Sequence, residues 1–150
     1  HSDKTIWIHT GDIGRVDNDG NVYIKGRIKR IIVSNGSKIF PSLIENIIDK
    51  NENVVRSAVV GMYDEKVRKI PVAHIVFNEN LTKEEIEKCI FDIINTIKQE
   101  LPDFYLPATF VIRNQMPLTS INKVDFKKLE EEIYPLNSLI NYKLGKNKVK

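Results

Sequence analysis

Cysteine is almost absent: Cys89 stands alone in the chain, so no disulfide can close within it and no second thiol offers metal-ligand spacing. A disulfide-stapled scaffold and a thiolate metal centre are excluded, and a reducing, cytoplasmic setting is the expectation. No apolar run approaches the roughly 18 residues that a membrane-spanning helix needs. The polar opening His1-Ser2-Asp3-Lys4 does not have the character of a secretory signal. Neither sign of charge dominates: 23 basic against 20 acidic residues leave a formal charge of +3 spread along the chain. That distribution has no nucleic-acid footprint but leaves acidic small-molecule ligands open. An initiator methionine is also missing, and the chain starts directly before strand-like residues, so a piece of a longer protein is expected.

What is present is ordinary globular composition, 41% hydrophobic and 29% charged over 150 residues, enough to bury one core. Ile6-Trp7-Ile8, Ile13 to Val16 and Val22-Tyr23-Ile24 read as short strands, with Asp19-Gly20 as a hairpin turn. Ile31-Ile32-Val33 and Lys38 to Phe40 form a second hairpin around Asn35-Gly36. Ser42 and Glu45 have the spacing of a capping box, with Pro41 just before the start and Leu43, Ile44, Ile47 and Ile48 on one helix face. Val54 to Met62 and Pro71 to Phe77 are β-rich and suited to pair as neighbours. Thr82 and Glu85 repeat the capping box ahead of Ile86, Cys89, Ile90, Ile93, Ile94, Ile97 and Leu101 at helical spacing, and Pro102 ends that helix. Ala108 to Ile112 is one more strand, and Phe126, Leu129 and Ile133 predict a last short helix. Lys143, Lys146, Lys148 and Lys150 read as a frayed tail. Element order therefore predicts an α+β fold: a small mixed β-sheet flanked by helices from about Ile28 to Glu132, preceded by a short β-hairpin segment, with a boundary near Gly26-Arg27.

Four segments can carry chemistry, and each has a plain alternative. His9-Thr10-Gly11-Asp12 puts a carboxylate on a turn, where it can accept hydrogen bonds from vicinal hydroxyls or simply serve the turn. Gly26-Arg27-Ile28-Lys29-Arg30 gathers three cations at the boundary. Arg27 can share a polar ligand with Asp12, or the group can be a charged strand edge that resists aggregation. In Ser34-Asn35-Gly36-Ser37-Lys38-Ile39, Gly36 supplies a positive φ, lets a ligand pass close to the backbone, or does both. Pro117-Leu118-Thr119-Ser120-Ile121-Asn122-Lys123-Val124-Asp125 is a polar loop with one lysine ahead of a helix, and a lone loop lysine is commonly just solvated.

In this order and spacing the four segments resemble the late motifs of the adenylate-forming superfamily, which comprises acyl-CoA synthetases, luciferases and peptide-synthetase adenylation domains. The resemblance covers about Trp7 to Glu132. It implies that residues 1–26 end a large N-terminal adenylate-binding domain, that 27–133 form the mobile C-terminal lid, and that 134–150 are a tail. It further implies that Asp12, helped by Arg27, binds the ribose hydroxyls of ATP or the acyl-adenylate, that Lys29 is the hinge, and that Lys123 is the adenylation lysine. Gly36 matches the glycine lining the pantetheine tunnel. Glu45 matches the second acid of the family's E-I-E segment, although a capping role is preferred for it here.

The implied reaction joins a small-molecule carboxylate to ATP, with Mg2+, giving acyl-adenylate and pyrophosphate, and then to the thiol of CoA, giving thioester and AMP. The partner implied is the N-terminal domain of the same enzyme. No phosphate loop or acyl pocket is visible, so the chain by itself is expected to be inactive. Two departures stand out: Leu43 where an acid is frequent, and Asn122 in place of a common glycine, where Asn tolerates left-handed angles. Two alternatives remain open: an adenylation domain that loads a carrier-protein phosphopantetheine, and a non-enzymatic module for an acidic partner. Cys89 and Trp7 are assigned to the core, no metal site is expected, and His9 and His74 have no assigned role.

Overall fold

The computed structural model describes residues 6, 8–65 and 68–143, Arg68 by its backbone alone. Trp7, the opening residues 1–4 and the lysines at 146, 148 and 150 lie outside the described residues. Ile6 and Ile8, expected in a strand, are not in one; they are 89% and 83% exposed, and among the described residues no strand pairs with them.

β1 (Asp12–Val16) and β2 (Val22–Arg27) form an antiparallel hairpin, with a register shift between Ile13 and Gly14. Asp17 holds the turn, accepting from the backbone N–H groups of Asp19 and Asn21 at 3.0 and 2.9 Å. A 3-10 turn over Ile28–Arg30 leads to a second antiparallel hairpin, β3 (Ile32–Ser34) with β4 (Ser37–Ile39).

Helix α1 spans Pro41–Ile48. The expected Ser42–Glu45 capping box does not form: Phe40 is the N-cap, and it caps without a side-chain bond. Proline lacks the N–H that a first-turn residue would leave unpaired, so Pro41 fits the first helical position and draws the start forward. Ser42 then lies inside the helix, and its hydroxyl donates to the Lys25 carbonyl instead.

β5 (Val54–Asp64) and β6 (Arg68–Phe77) pair antiparallel, as their β-branched content suggests, with Val59 opposite Ala73. α2 (Lys83–Glu100) begins on the expected Thr82–Glu85 box, in which Thr82 Oγ1 and the Glu85 carboxylate each accept from the other's backbone. Glu84 and Glu85 in its first turn and Lys98 in its last also suit the helix dipole. It ends because Pro102 forces Leu101 into extended geometry, with φ −128° and ψ 154°. β7 (Thr109–Arg113) joins β6 in parallel.

Two endings differ from expectation. α3 spans only Phe126–Glu130, with Asp125 as its N-cap, and Ile133 is 85% exposed. Lys143, expected in a frayed tail, lies in β8 (Ile140–Lys143), which pairs in parallel with β7 and ties its Nζ to Glu132 at 2.7 Å. The backbone of β7 offers a free edge there, and Ile140 and Tyr142 pack against the core.

The result is a mixed four-stranded sheet in the order β5-β6-β7-β8, the α+β architecture that the element order predicts. On one face Val59, Ala73, Ile75, Phe110 and Ile112 pack against Ile44, Ile47 and Ile48 of α1 and Cys89, Ile90, Ile93 and Ile97 of α2. Burying each such aliphatic side chain contributes about 1.5–3 kcal/mol. On the other face Ala58 and Val60 of β5 meet Met116 and Leu129, with Val124 and Phe126 alongside. That second, smaller cluster is the footing of the loop that carries Lys123.

Candidate functional site

The Asp12 turn and the boundary residues come together at one end of the first hairpin. Asp12 and Arg27 are register partners, so their side chains meet, with Arg27 Nε 3.2 Å from Asp12 Oδ1. The turn is closed twice: the Asp12 N–H donates to Thr10 Oγ1 at 3.2 Å and the Ile28 N–H donates to the Gly11 carbonyl at 2.9 Å. Arg27 is 70% exposed and Asp12 29%, so the pair faces water and can exchange part of its mutual contact for a polar ligand.

Lys29 is the middle residue of the 3-10 turn. It is exposed, and among the described residues its side chain has no partner. Three residues before it, Gly26 has φ +152°, and a Cβ there would come within 2.9 Å of Ser42 Oγ, so only glycine lets β2 lie this close to α1.

Gly36 sits with Asn35 at the tip of the β3–β4 hairpin, with φ values of +79° and +45°. Two consecutive positive φ angles are the pattern of a tight turn matched to strand twist, which explains the Asn-Gly pair. A Cβ at Gly36 would meet nothing within 4 Å, so the position is open as well as left-handed.

Lys123 lies on a small hairpin closed by a bridge between Leu118 and Val124. The Thr119 N–H donates to the Lys123 carbonyl at 2.8 Å, and the Lys123 N–H donates to Thr119 Oγ1 at 3.3 Å. Asn122, which departs from the usual glycine, takes φ +61°, so the left-handed turn is kept. The Lys123 side chain is exposed, and among the described residues it makes no hydrogen bond or ion pair, including with Asp12, Arg27 or Gly36. The structure thus joins Asp12 with Arg27 and leaves Lys29, Gly36 and Lys123 on separate turns.

Two polar clusters were not foreseen. Arg30, read with its neighbours as a charged strand edge, is half-buried and paired through both terminal nitrogens with Glu45. Glu45 does not cap α1. Complementary charge is the sole signal in the sequence, and at a separation of fifteen positions it is weak. The second cluster centres on Arg113, which donates from Nε to His74 Nδ1 at 3.1 Å and pairs with Glu132, itself bonded to the Tyr134 hydroxyl and Lys143. Burial, reinforced by the Arg113 charge and opposed by Glu132, pushes the His74 imidazole down to about 3. Burial pushes the Glu132 carboxyl up, but the bonds from Lys143, Tyr134 and Arg113 outweigh it and hold it at about 2. Among the described residues no group of three or more His, Cys, Asp or Glu side chains is placed to hold a metal.

The family model of the AMP-binding enzyme C-terminal domain matches residues 43–123, more than half of the chain. The chain belongs to this family. The match ends on Lys123, whereas Asp12, Arg27, Lys29 and Gly36 precede it. Among similar proteins, a medium/long-chain-fatty-acid–CoA ligase of Mycobacterium tuberculosis is 33% identical over 133 residues, 87% of this chain and 23% of that protein. A 2-succinylbenzoate–CoA ligase of Listeria innocua is 37% identical over 125 residues, 83% of this chain and 25% of that protein. Among solved structures, the o-succinylbenzoate CoA synthetase of Bacillus subtilis, in complex with its acyl-adenylate intermediate, superposes with a TM-score of 0.70 at 27% identity. That match covers 85% of this chain and 25% of the other. The chain therefore spans about a quarter of the length of the relatives it matches. Among the described residues no helix is long and apolar enough to cross a membrane.

Proposed function

We propose that this AMP-binding C-terminal domain is the lid of an AMP-forming acid–thiol ligase, which activates a small-molecule carboxylate with ATP and passes the acyl group to CoA. Residues 1–26 close the preceding domain and the lid runs from 27 through 133; of the tail from 134 to 150, β8 adds an edge strand. The observation that carries the proposal is Lys123: a lysine on a hairpin closed by the Leu118–Val124 bridge and footed on the Met116–Leu129 cluster, with its ammonium exposed and, among the described residues, unpaired. CoA is preferred to a carrier protein because the relatives named above are CoA ligases.

In the first half-reaction a carboxylate oxygen attacks the α-phosphorus of ATP and pyrophosphate leaves. Asp12 accepts hydrogen bonds from the ribose hydroxyls, with Arg27 beside it, and the Lys123 ammonium stabilises the oxygen charge that shifts as the bond breaks. Mg2+ enters with ATP as its counter-ion. In the second, the CoA thiol gives up its proton to solvent, its sulfur forms the bond to the acyl carbon, and the acyl–phosphate oxygen bond breaks to release AMP. Rotation at Lys29 withdraws Lys123 and brings the Gly36 turn toward the pantetheine arm. Most of the active site belongs to the N-terminal domain, so the chain alone is inactive.

The test is Lys123→Ala in the full-length enzyme. Loss of one preorganised donor should slow adenylate formation by about a hundredfold to a thousandfold. Thioester formation from supplied acyl-adenylate and the thermal midpoint should hardly change. Lys127 and Lys128, exposed on α3, are the controls, and their alanine variants should match wild type. Adenylation at the wild-type rate by Lys123→Ala would remove the central assignment.

A further inference from the structure

Arg30 follows the proposed hinge by one residue and is fastened on three sides. Its two terminal nitrogens pair with the Glu45 carboxylate of α1, and one also donates to the Val59 carbonyl of β5 at 3.3 Å. Glu45 Oε1 in turn accepts from the Val59 N–H at 2.8 Å. β5 is the edge of the sheet, so arginine and carboxylate together take the two backbone groups of Val59 that no strand pairs.

The guanidinium also lies over the Phe126 ring, its carbon 3.8 Å from the centroid. Phe126 opens α3 three residues after Lys123, and its ring packs in the cluster that roots the Lys123 hairpin. A single planar group therefore touches the segment after the hinge, the first helix, the sheet edge and the base of the catalytic loop. Lysine could not replace it, because a point ammonium offers no fork for the carboxylate and no plane for the ring.

We propose that Arg30 is a positioning residue for adenylation: through Glu45, Val59 and Phe126 it locks the Lys123 hairpin to the lid-side end of the hinge. Rotation at Lys29 then delivers the lysine to one fixed place. The proposal rests on the reading of Lys123 as the adenylation lysine. An error of about 1 Å in such a group can cost a hundredfold in rate, so a stiff link between hinge and loop has kinetic value even though it touches no substrate.

The experiment uses the full-length enzyme carrying Arg30→Met, Phe126→Leu or Phe126→Tyr, each alone and combined with Lys123→Ala. Arg30→Met and Phe126→Leu should slow adenylation about ten- to a hundredfold, while Phe126→Tyr, which keeps a ring under the guanidinium, stays near wild type. Phe126→Leu should leave thioester formation from supplied acyl-adenylate unchanged, and it leaves the ion pair intact if Arg30→Met folds poorly. Neither slowing substitution should reduce the rate of Lys123→Ala further, because a positioning residue has no effect once the group it positions is gone. If Lys123→Ala is slow and Phe126→Leu multiplies the defect, or if both Arg30→Met and Phe126→Leu adenylate at the wild-type rate, the positioning role falls and the function of Lys123 stands. If Lys123→Ala itself runs at the wild-type rate, both fall together.

Discussion

Arg27 and Arg30 stand three residues apart on either side of Lys29, each beside a carboxylate, yet the two pairs differ in kind. The Asp12–Arg27 pair joins the ends of one hairpin, with 70% of the Arg27 side chain in water. The Arg30–Glu45 pair joins a turn to a helix; its side chains are 26% and 13% exposed, and it also serves the backbone of a sheet edge. An exposed pair is worth about 0–1 kcal/mol, so it can open at little cost when a ligand competes for the same groups. A buried, bidentate pair strands a charge when one partner is lost, which suits a fixed joint and ill suits a binding site. Within four residues the chain passes from a pair that can yield to one that cannot, with Lys29, the proposed hinge, between them.

The largest effect expected from breaking that contrast is Glu45→Ala. It leaves Arg30 half-buried without its partner and the Val59 N–H without an acceptor, and should cost about 2–4 kcal/mol, somewhat less than a fully sealed pair would. Urea unfolding of the chain measures it. A loss under a few tenths of a kcal/mol would show the two arginines to be alike.

Lys29→Pro probes the joint itself. Fixing φ at this proposed hinge should leave adenylation largely intact in the full-length enzyme and slow thioester formation several-fold. Equal losses in both half-reactions would move the hinge elsewhere.

Arg113 sharpens the comparison as a third arginine, more deeply buried than Arg30, with His74 and Glu132 as partners. His74 has its pKa lowered from 6.5 to about 3, so below pH 6.5 the unfolded chain binds a proton that the folded chain refuses. Stability therefore falls as pH drops from 6.5 toward 3. Glu132, lowered from 4.5 to about 2, contributes stability above its unfolded pKa and loses it as pH falls from 4.5 toward 2. His74→Gln should flatten the unfolding midpoint between pH 6.5 and 4.5 and leave the steeper fall below that range.

The smallest effect on stability belongs to Arg27→Ala, within about 0.5 kcal/mol. Its consequence should appear as a raised KM for ATP, measured by pyrophosphate exchange in the full-length enzyme. A change in the thermal midpoint with no change in KM would make Arg27 a structural residue.

Features whose causes are local could be read from the sequence. The Thr82–Glu85 box, the spacing of Cys89, Ile90, Ile93, Ile94 and Ile97, and the stop at Pro102 fix α2 without reference to the rest of the chain. Asp12 and Arg27 were legible as a pair because one short hairpin brings them together. The same local signature misled at Ser42 and Glu45, where Pro41 shifts the helix start and distant groups, Lys25, Arg30 and Val59, claim both side chains. β8 was missed because its partner β7 lies about thirty residues earlier, and four residues beside a lysine-rich end carry no periodicity of their own.

Cys89 is the one thiol in this chain, and it faces the core from α2 with 8% of its surface exposed. With so little of the residue exposed, capture by a small disulfide reagent should be slow until that face of the helix parts from the core. The rate of thiol capture in native buffer therefore counts how often α2 lifts away, and its dependence on reagent concentration separates opening from reaction. The chain carries a built-in reporter of its own breathing, at a position where no label has to be introduced.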